Sequence, residues 1–71
     1  MSLSARNRFP GVIRRIEVDG VMALVEIESG EHRVTAAITR DAVESLGLEE
    51  GDEATAVVKA TSVMVMRNRS E

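Results

Sequence analysis

Asp19-Gly20 is the strongest constraint on how this chain folds, because the pair is a short-hairpin signal flanked on both sides by alternating apolar residues. Upstream, Gly11 to Val18 alternates loosely, with Val12, Arg14 and Ile16 against Ile13, Arg15 and Glu17. Downstream, Val21 to Glu28 places Val21, Ala23, Val25 and Ile27 on one face. The other face carries Met22 and Leu24 before it becomes Glu26 and Glu28. A second tight turn, Ser29-Gly30-Glu31, leads into a third predicted strand, His32 to Thr39, with Val34, Ala36 and Ile38 inward. Together they predict a meander. His32, beside the turn, reads as a solvated strand-end residue, with a ligand-contacting or pH-sensitive role as the alternative.

Thr39 can cap a helix whose first turn holds Asp41 and Glu44, and Gly47 ends it as a left-handed cap after about two turns. Val43, Leu46 and Leu48 give that helix an apolar stripe able to plug the open end of a small barrel. The acidic turn Glu49-Glu50-Gly51-Asp52 reads as a solvated connection. A fourth strand is predicted from Glu53 to Ala60, with Ala54, Ala56, Val58 and Ala60 on one face, and a fifth from Thr61 to Met66, apolar on both faces. The expected fold is therefore mostly β: a five-stranded Greek-key barrel of the oligonucleotide-binding type, with one short helix between strands 3 and 4. It forms a single domain over residues 1–71, with 1–3 and 67–71 as flexible ends.

A 71-residue core is marginal alone, and with no cysteine and one histidine neither disulfides nor a zinc site can reinforce it. Oligomerisation is the remaining common route. Met22, Leu24, Met64 and Met66 lie on second apolar faces that one small chain cannot bury, so they are the interface candidates. No long apolar run or leader pattern occurs, and the chain reads as soluble and cytoplasmic, with no membrane partner.

Two donor-rich clusters stand out. Lys59 is the only lysine, and Thr61 and Ser62 follow it between apolar runs. Near the start, Ser4-Ala5-Arg6-Asn7 brings a hydroxyl, a guanidinium and an amide together before Phe9-Pro10-Gly11, which marks a break or the beginning of a strand. Donors without carboxylates suit a small anion. The plainer alternatives are a solvated strand face for Lys59 and Thr61 and a frayed polar terminus for the first cluster. The net charge of -3 is compatible with a local anion site, because Arg6, Arg8, Arg14 and Arg15 all precede the first acid, Glu17.

With these motifs in place, the chain resembles the molbindin or Mop family, related to the TOBE domains of molybdate transporters and regulators. The resemblance is carried by Ser4-Ala5-Arg6-Asn7, Gly11, Ala37-Ile38-Thr39, Leu46-Gly47-Leu48, Glu50-Gly51-Asp52-Glu53 and Lys59-Ala60-Thr61-Ser62-Val63-Met64. One departure is Asp19-Gly20-Val21-Met22, where the family pattern has more small and polar residues. The resemblance implies a cytoplasmic molybdate or tungstate binder that stores or buffers the oxyanion. It also implies a homohexamer, a trimer of dimers, with oxyanions held between subunits. It implies contacts from Ser4, Ala5, Arg6, Asn7, Thr39, Lys59, Ala60, Thr61 and Ser62. No organic cofactor and no direct protein–metal ligand is expected. Such a site would take its charge from Arg6 and Lys59, contributed by two different chains, and its remaining donors from the hydroxyls, the Asn7 amide and backbone N–H groups around Ala5 and Ala60.

An enzyme is disfavoured, since no nucleophile and base can be assigned. A single-strand nucleic-acid module would need stacking aromatics and a basic groove, and one Phe in an acidic chain supplies neither. A regulatory or assembly module of a molybdate-responsive system is the remaining alternative.

Overall fold

The structure, a computed structural model, describes residues 5–68, and of Ala5 the backbone alone. Four strands, β1 (Ala5–Asp19), β2 (Met22–Ser29), β3 (His32–Thr39) and β4 (Glu53–Lys59), form one antiparallel sheet in the order β3-β2-β1-β4. A short helix, α1 (Arg40–Leu46), lies between β3 and β4. The meander is as expected, with both hairpins closed by two-residue loops. Asp19 pairs with Met22 and Ser29 with His32, so the loops are Gly20-Val21 and Gly30-Glu31, each with glycine first. Val21 is therefore a turn residue, not a strand residue, and is 79% exposed.

β1 organises the sheet. Its first half pairs with β4, its second half with β2, and Val12 faces Glu28 on one side and Glu53 on the other. The Phe9-Pro10-Gly11 stretch is thus continuous strand. Pro10 is tolerated because its carbonyl faces the β2 side, where it accepts from Ser29 Oγ at 2.7 Å; its nitrogen, on that same side, costs the β4 ladder no donor.

A bulge at Arg14 lets both Ile13 and Ile16 point inward, which strict alternation would forbid. The acidic turn holds this bulge in place. Gly51 N–H donates to Ile13 O (2.7 Å), Ile13 N–H to Asp52 O (2.9 Å) and Ile16 N–H to Glu50 Oε2 (3.0 Å). Glu49–Asp52 is therefore more than a solvated connection.

Ile13, Val25, Ile27 and Ala56 are buried together, and Ile16, Val34, Ile38, Val43, Leu48 and Ala54 pack against them. Residues from β2 and β4, on opposite sides of β1, share this core, so the sheet curls into a half-barrel that α1 covers. Thr39 Oγ1 accepts from Ala42 N–H (3.1 Å), and Gly47 adopts φ 63°, ψ 37° with its N–H on Glu44 O. Of the expected covering stripe, Val43 and Leu48 pack against the core, whereas Leu46 is 69% exposed.

The expected fifth strand is absent among the described residues. The fourth strand ends at Lys59, Ala60–Ser62 is a 3₁₀ turn, and residues 63–68 have no regular structure. A segment apolar on both faces needs a ladder partner and two covers, and residues 63–68 pair with neither open edge of the sheet, β3 or β4. Of the expected flexible ends, 1–3 and 67–71, residues 1–3 and 69–71 lie outside the described residues; Arg67 and Asn68 are exposed.

Candidate anion-binding site

The two donor-rich clusters meet at one end of the sheet. Ala5 is opposite Lys59 and Asn7 opposite Val58, residues 51 positions apart for the latter pair, which the Asn7 side-chain amide also bridges by donating to Val58 O at 3.4 Å. Between those pairs Arg6 is the extra residue of a bulge, freed from the ladder alternation so that its side chain takes its own direction. Within one chain Arg6 and Lys59 thus lie on neighbouring strand ends. Beyond Lys59 the 3₁₀ turn, closed by Val63 N–H on Ala60 O (3.3 Å), carries Thr61 and Ser62, both exposed.

Charge at this end is one-sided. Arg6 and Lys59 are exposed, and among the described residues neither forms an ion pair; the pairs present are Arg14–Glu28, Arg15–Glu17, Arg33–Glu28 and Arg40–Glu44. No acid occurs before Glu17 or between Glu53 and Glu71, so both strand ends at the site are free of carboxylates. Arg8 adds a cation that periodicity did not single out. It lies opposite Val57, two residues before Lys59 on the same strand face, and this is legible only once the bulge at Arg6 is known.

Thr39 is not brought to this cluster. It is opposite Met22, which is opposite Asp19, and so sits by the far end of β1 from Ala5. Its oxygen accepts the helix-capping bond, while its hydroxyl proton remains a donor. Ser4 and the side chain of Ala5 lie outside the described residues. His32 is exposed at a strand end. Among the described residues no group of three or more His, Asp or Glu could hold a metal ion, and no helix is long and apolar enough to cross a membrane.

Residues 3–65 match the TOBE domain. The chain is also 45% identical over 67 residues to molybdenum-pterin-binding protein 2 of Clostridium pasteurianum, across 93% of this chain and 98% of that one. This chain belongs to the Mop family of TOBE-domain proteins. Among solved structures this Mop chain is similar to a molybdate-binding protein from Sporomusa ovata, with a TM-score of 0.90 and 37% identity over 94% of this chain and 100% of the other. It is also similar to the cytoplasmic molybdate-binding protein ModG in a form with molybdate bound. That match has a TM-score of 0.79 and 39% identity over 84% of this chain and 43% of ModG. Mop proteins of this kind are binding proteins, not enzymes.

Proposed function

We propose that this Mop protein binds molybdate or tungstate in the cytoplasm and serves as its store or buffer, with oxyanions held between subunits of a homohexamer built as a trimer of dimers. The observation that carries this reading is the β1–β4 pairing that sets Ala5 opposite Lys59, with Arg6 bulged out between Ala5 and Asn7 and no carboxylate on either strand end. Molybdate is a tetrahedral dianion without a proton near neutral pH, so a site made only of donors fits it, whereas an acceptor carboxylate would repel it.

Arg6 and Lys59 supply charge, Ser4, Thr61 and Ser62 hydroxyl donors, Asn7 an amide, and Ala5 and Ala60 backbone N–H groups. In a single chain Arg6, Lys59, Thr61 and Ser62 face water, where each charge contact is worth little; covering by a second subunit lowers the local dielectric and makes the same contacts strong. That is the physical reason for a site between chains. Thr39, by the far end of β1, would serve a separate oxyanion with its free hydroxyl proton. The molybdate-bound ModG form and the binding functions named for the other relatives support the ligand class.

Native mass spectrometry of the purified protein with and without molybdate tests this reading. A hexamer gaining discrete molybdate masses is the expected result. A folded monomer that takes up no oxyanion would overturn it.

A further inference from the structure

Arg8 is a cation that the fold itself leaves unused. It lies opposite Val57, and alternation puts Val57 and Lys59 on one face of β4, so Arg8 is the diagonal neighbour of Lys59 across the ladder. Diagonal neighbours in an antiparallel pair are about 7–8 Å apart, within reach of long side chains. Arg8, Val57 and Lys59 are all exposed, and among the described residues Arg8 forms neither an ion pair nor a side-chain hydrogen bond. The first acids along the ladder, Glu28 and Glu53, both face Val12, four residues from Arg8 and roughly 13 Å along the strand, beyond the screening length of about 8–10 Å. Glu28 is in any case shared by Arg14 at 3.0 Å and Arg33 at 3.9 Å. Arg6, Arg8 and Lys59 thus place three positive charges at one end of the sheet with no carboxylate among them.

We infer that Arg8 is the charge-selecting residue of the oxyanion site proposed above, setting its preference for tetrahedral dianions over monoanions of the same shape. The inference rests on that reading and goes beyond it. Donor-only chemistry separates molybdate from phosphate but not from perrhenate, because both are proton-free tetrahedral oxyanions of similar size near neutral pH. They differ in charge alone, one a dianion and the other a monoanion. Coulomb energy scales with the product of the charges, so a fixed cation stabilises a dianion by twice what it gives a monoanion at the same position. Arg6 and Lys59 already balance a dianion. With Arg8 beside them, molybdate leaves one cation uncompensated and perrhenate leaves two, whose mutual repulsion opposes the weaker charge. Arg8 acts through this field from the next position on the strand face of Lys59, and covering of the site by a second subunit strengthens it by excluding screening ions.

A charge series at position 8 tests this. Arg8→Lys, Arg8→Gln and Arg8→Glu are titrated calorimetrically with molybdate, alone and with perrhenate as competitor, at low ionic strength and at a concentration where native mass spectrometry shows the wild-type assembly. Arg8→Gln should weaken molybdate about tenfold and perrhenate only about threefold, since the logarithm of affinity follows the charge with twice the slope for the dianion. Arg8→Glu should double both effects on that scale, to about a hundredfold and about tenfold. Arg8→Lys keeps the charge and should retain the wild-type ratio of the two affinities. Arg33→Gln takes the same net charge from β3, two strands away from β1, and should leave that ratio unchanged. Comparison between variants cancels the dehydration of each anion. Equal losses for the two anions would make Arg8 a structural residue, no loss a solvated cation, and a matching shift in Arg33→Gln an effect of net charge. Each of these overturns the selection assigned to Arg8 while leaving the oxyanion site standing. Wild-type protein that takes up neither anion overturns both.

Discussion

Gly11 crosses the backbone of Glu28 so closely that a Cβ at position 11 would overlap the Glu28 carbonyl, with its carbonyl carbon 2.7 Å and the Ile27 Cγ2 3.1 Å away. This is the point where β1 hands over from β4 to β2, since Gly11 pairs with Ala54 and Val12 with both neighbours. Backbone cannot yield as a flexible side chain would. Gly11→Ala should therefore cost about 1–3 kcal/mol through overpacking, which lowers the melting temperature by about 4–8 °C per kcal/mol in a chain this small. Thermal unfolding at one fixed protein concentration measures it, and an unchanged midpoint would show that the strand crossing relaxes freely.

Arg6 and Lys59 are expected to act on one dianion. A charge-assisted hydrogen bond in a partly desolvated site contributes about 1.5–3 kcal/mol, so Lys59→Ala and Arg6→Ala should each weaken molybdate binding about tenfold to a hundredfold. The double variant should lose less than the product of the two effects, because each single change already disrupts the shared site. Calorimetric titration of the four proteins decides this; independent, near-zero effects would make both residues solvated strand-end cations.

Donor-only chemistry sets selectivity. Phosphate carries a proton near pH 7 that a site without acceptors cannot take, whereas molybdate and tungstate carry none. Molybdate should therefore bind more tightly than phosphate at pH 7, with sulfate competing weakly. Equal affinities for phosphate and molybdate would mean that an acceptor faces the ligand.

Thr39 has a local role and a proposed one, and two variants separate them. Thr39→Ala removes the cap on Ala42 N–H and should cost about 0.5–2 kcal/mol of stability, whereas Thr39→Ser keeps an equivalent oxygen and should cost much less. If its hydroxyl serves an oxyanion apart from the Lys59 cluster, Thr39→Ala should lower the number of molybdate ions bound while leaving affinity at the remaining sites unchanged. A loss of affinity with full stoichiometry would place Thr39 and Lys59 in one site.

What the sequence determined by itself is what short-range chemistry controls. Ala23, Val25 and Ile27 face inward because alternation sets the faces of a strand, and α1 begins after Thr39 and ends before Gly47 because caps satisfy backbone groups a few residues away. The TOBE-type motifs were legible for the same reason, as runs of adjacent residues. Tertiary structure decided everything that depends on two distant segments meeting. The bulges at Arg6 and Arg14 exist only relative to their partner strands, β4 and β2, and they shift Ile16 into the core and bring Arg8 onto the face of Lys59. The segment from Thr61 to Met66 has a strand's composition, yet backbone hydrogen bonds in a sheet must come from a neighbour. In this chain the 3₁₀ turn at Ala60–Ser62 breaks the run after β4, and residues 63–68 join neither open edge of the sheet, β3 or β4.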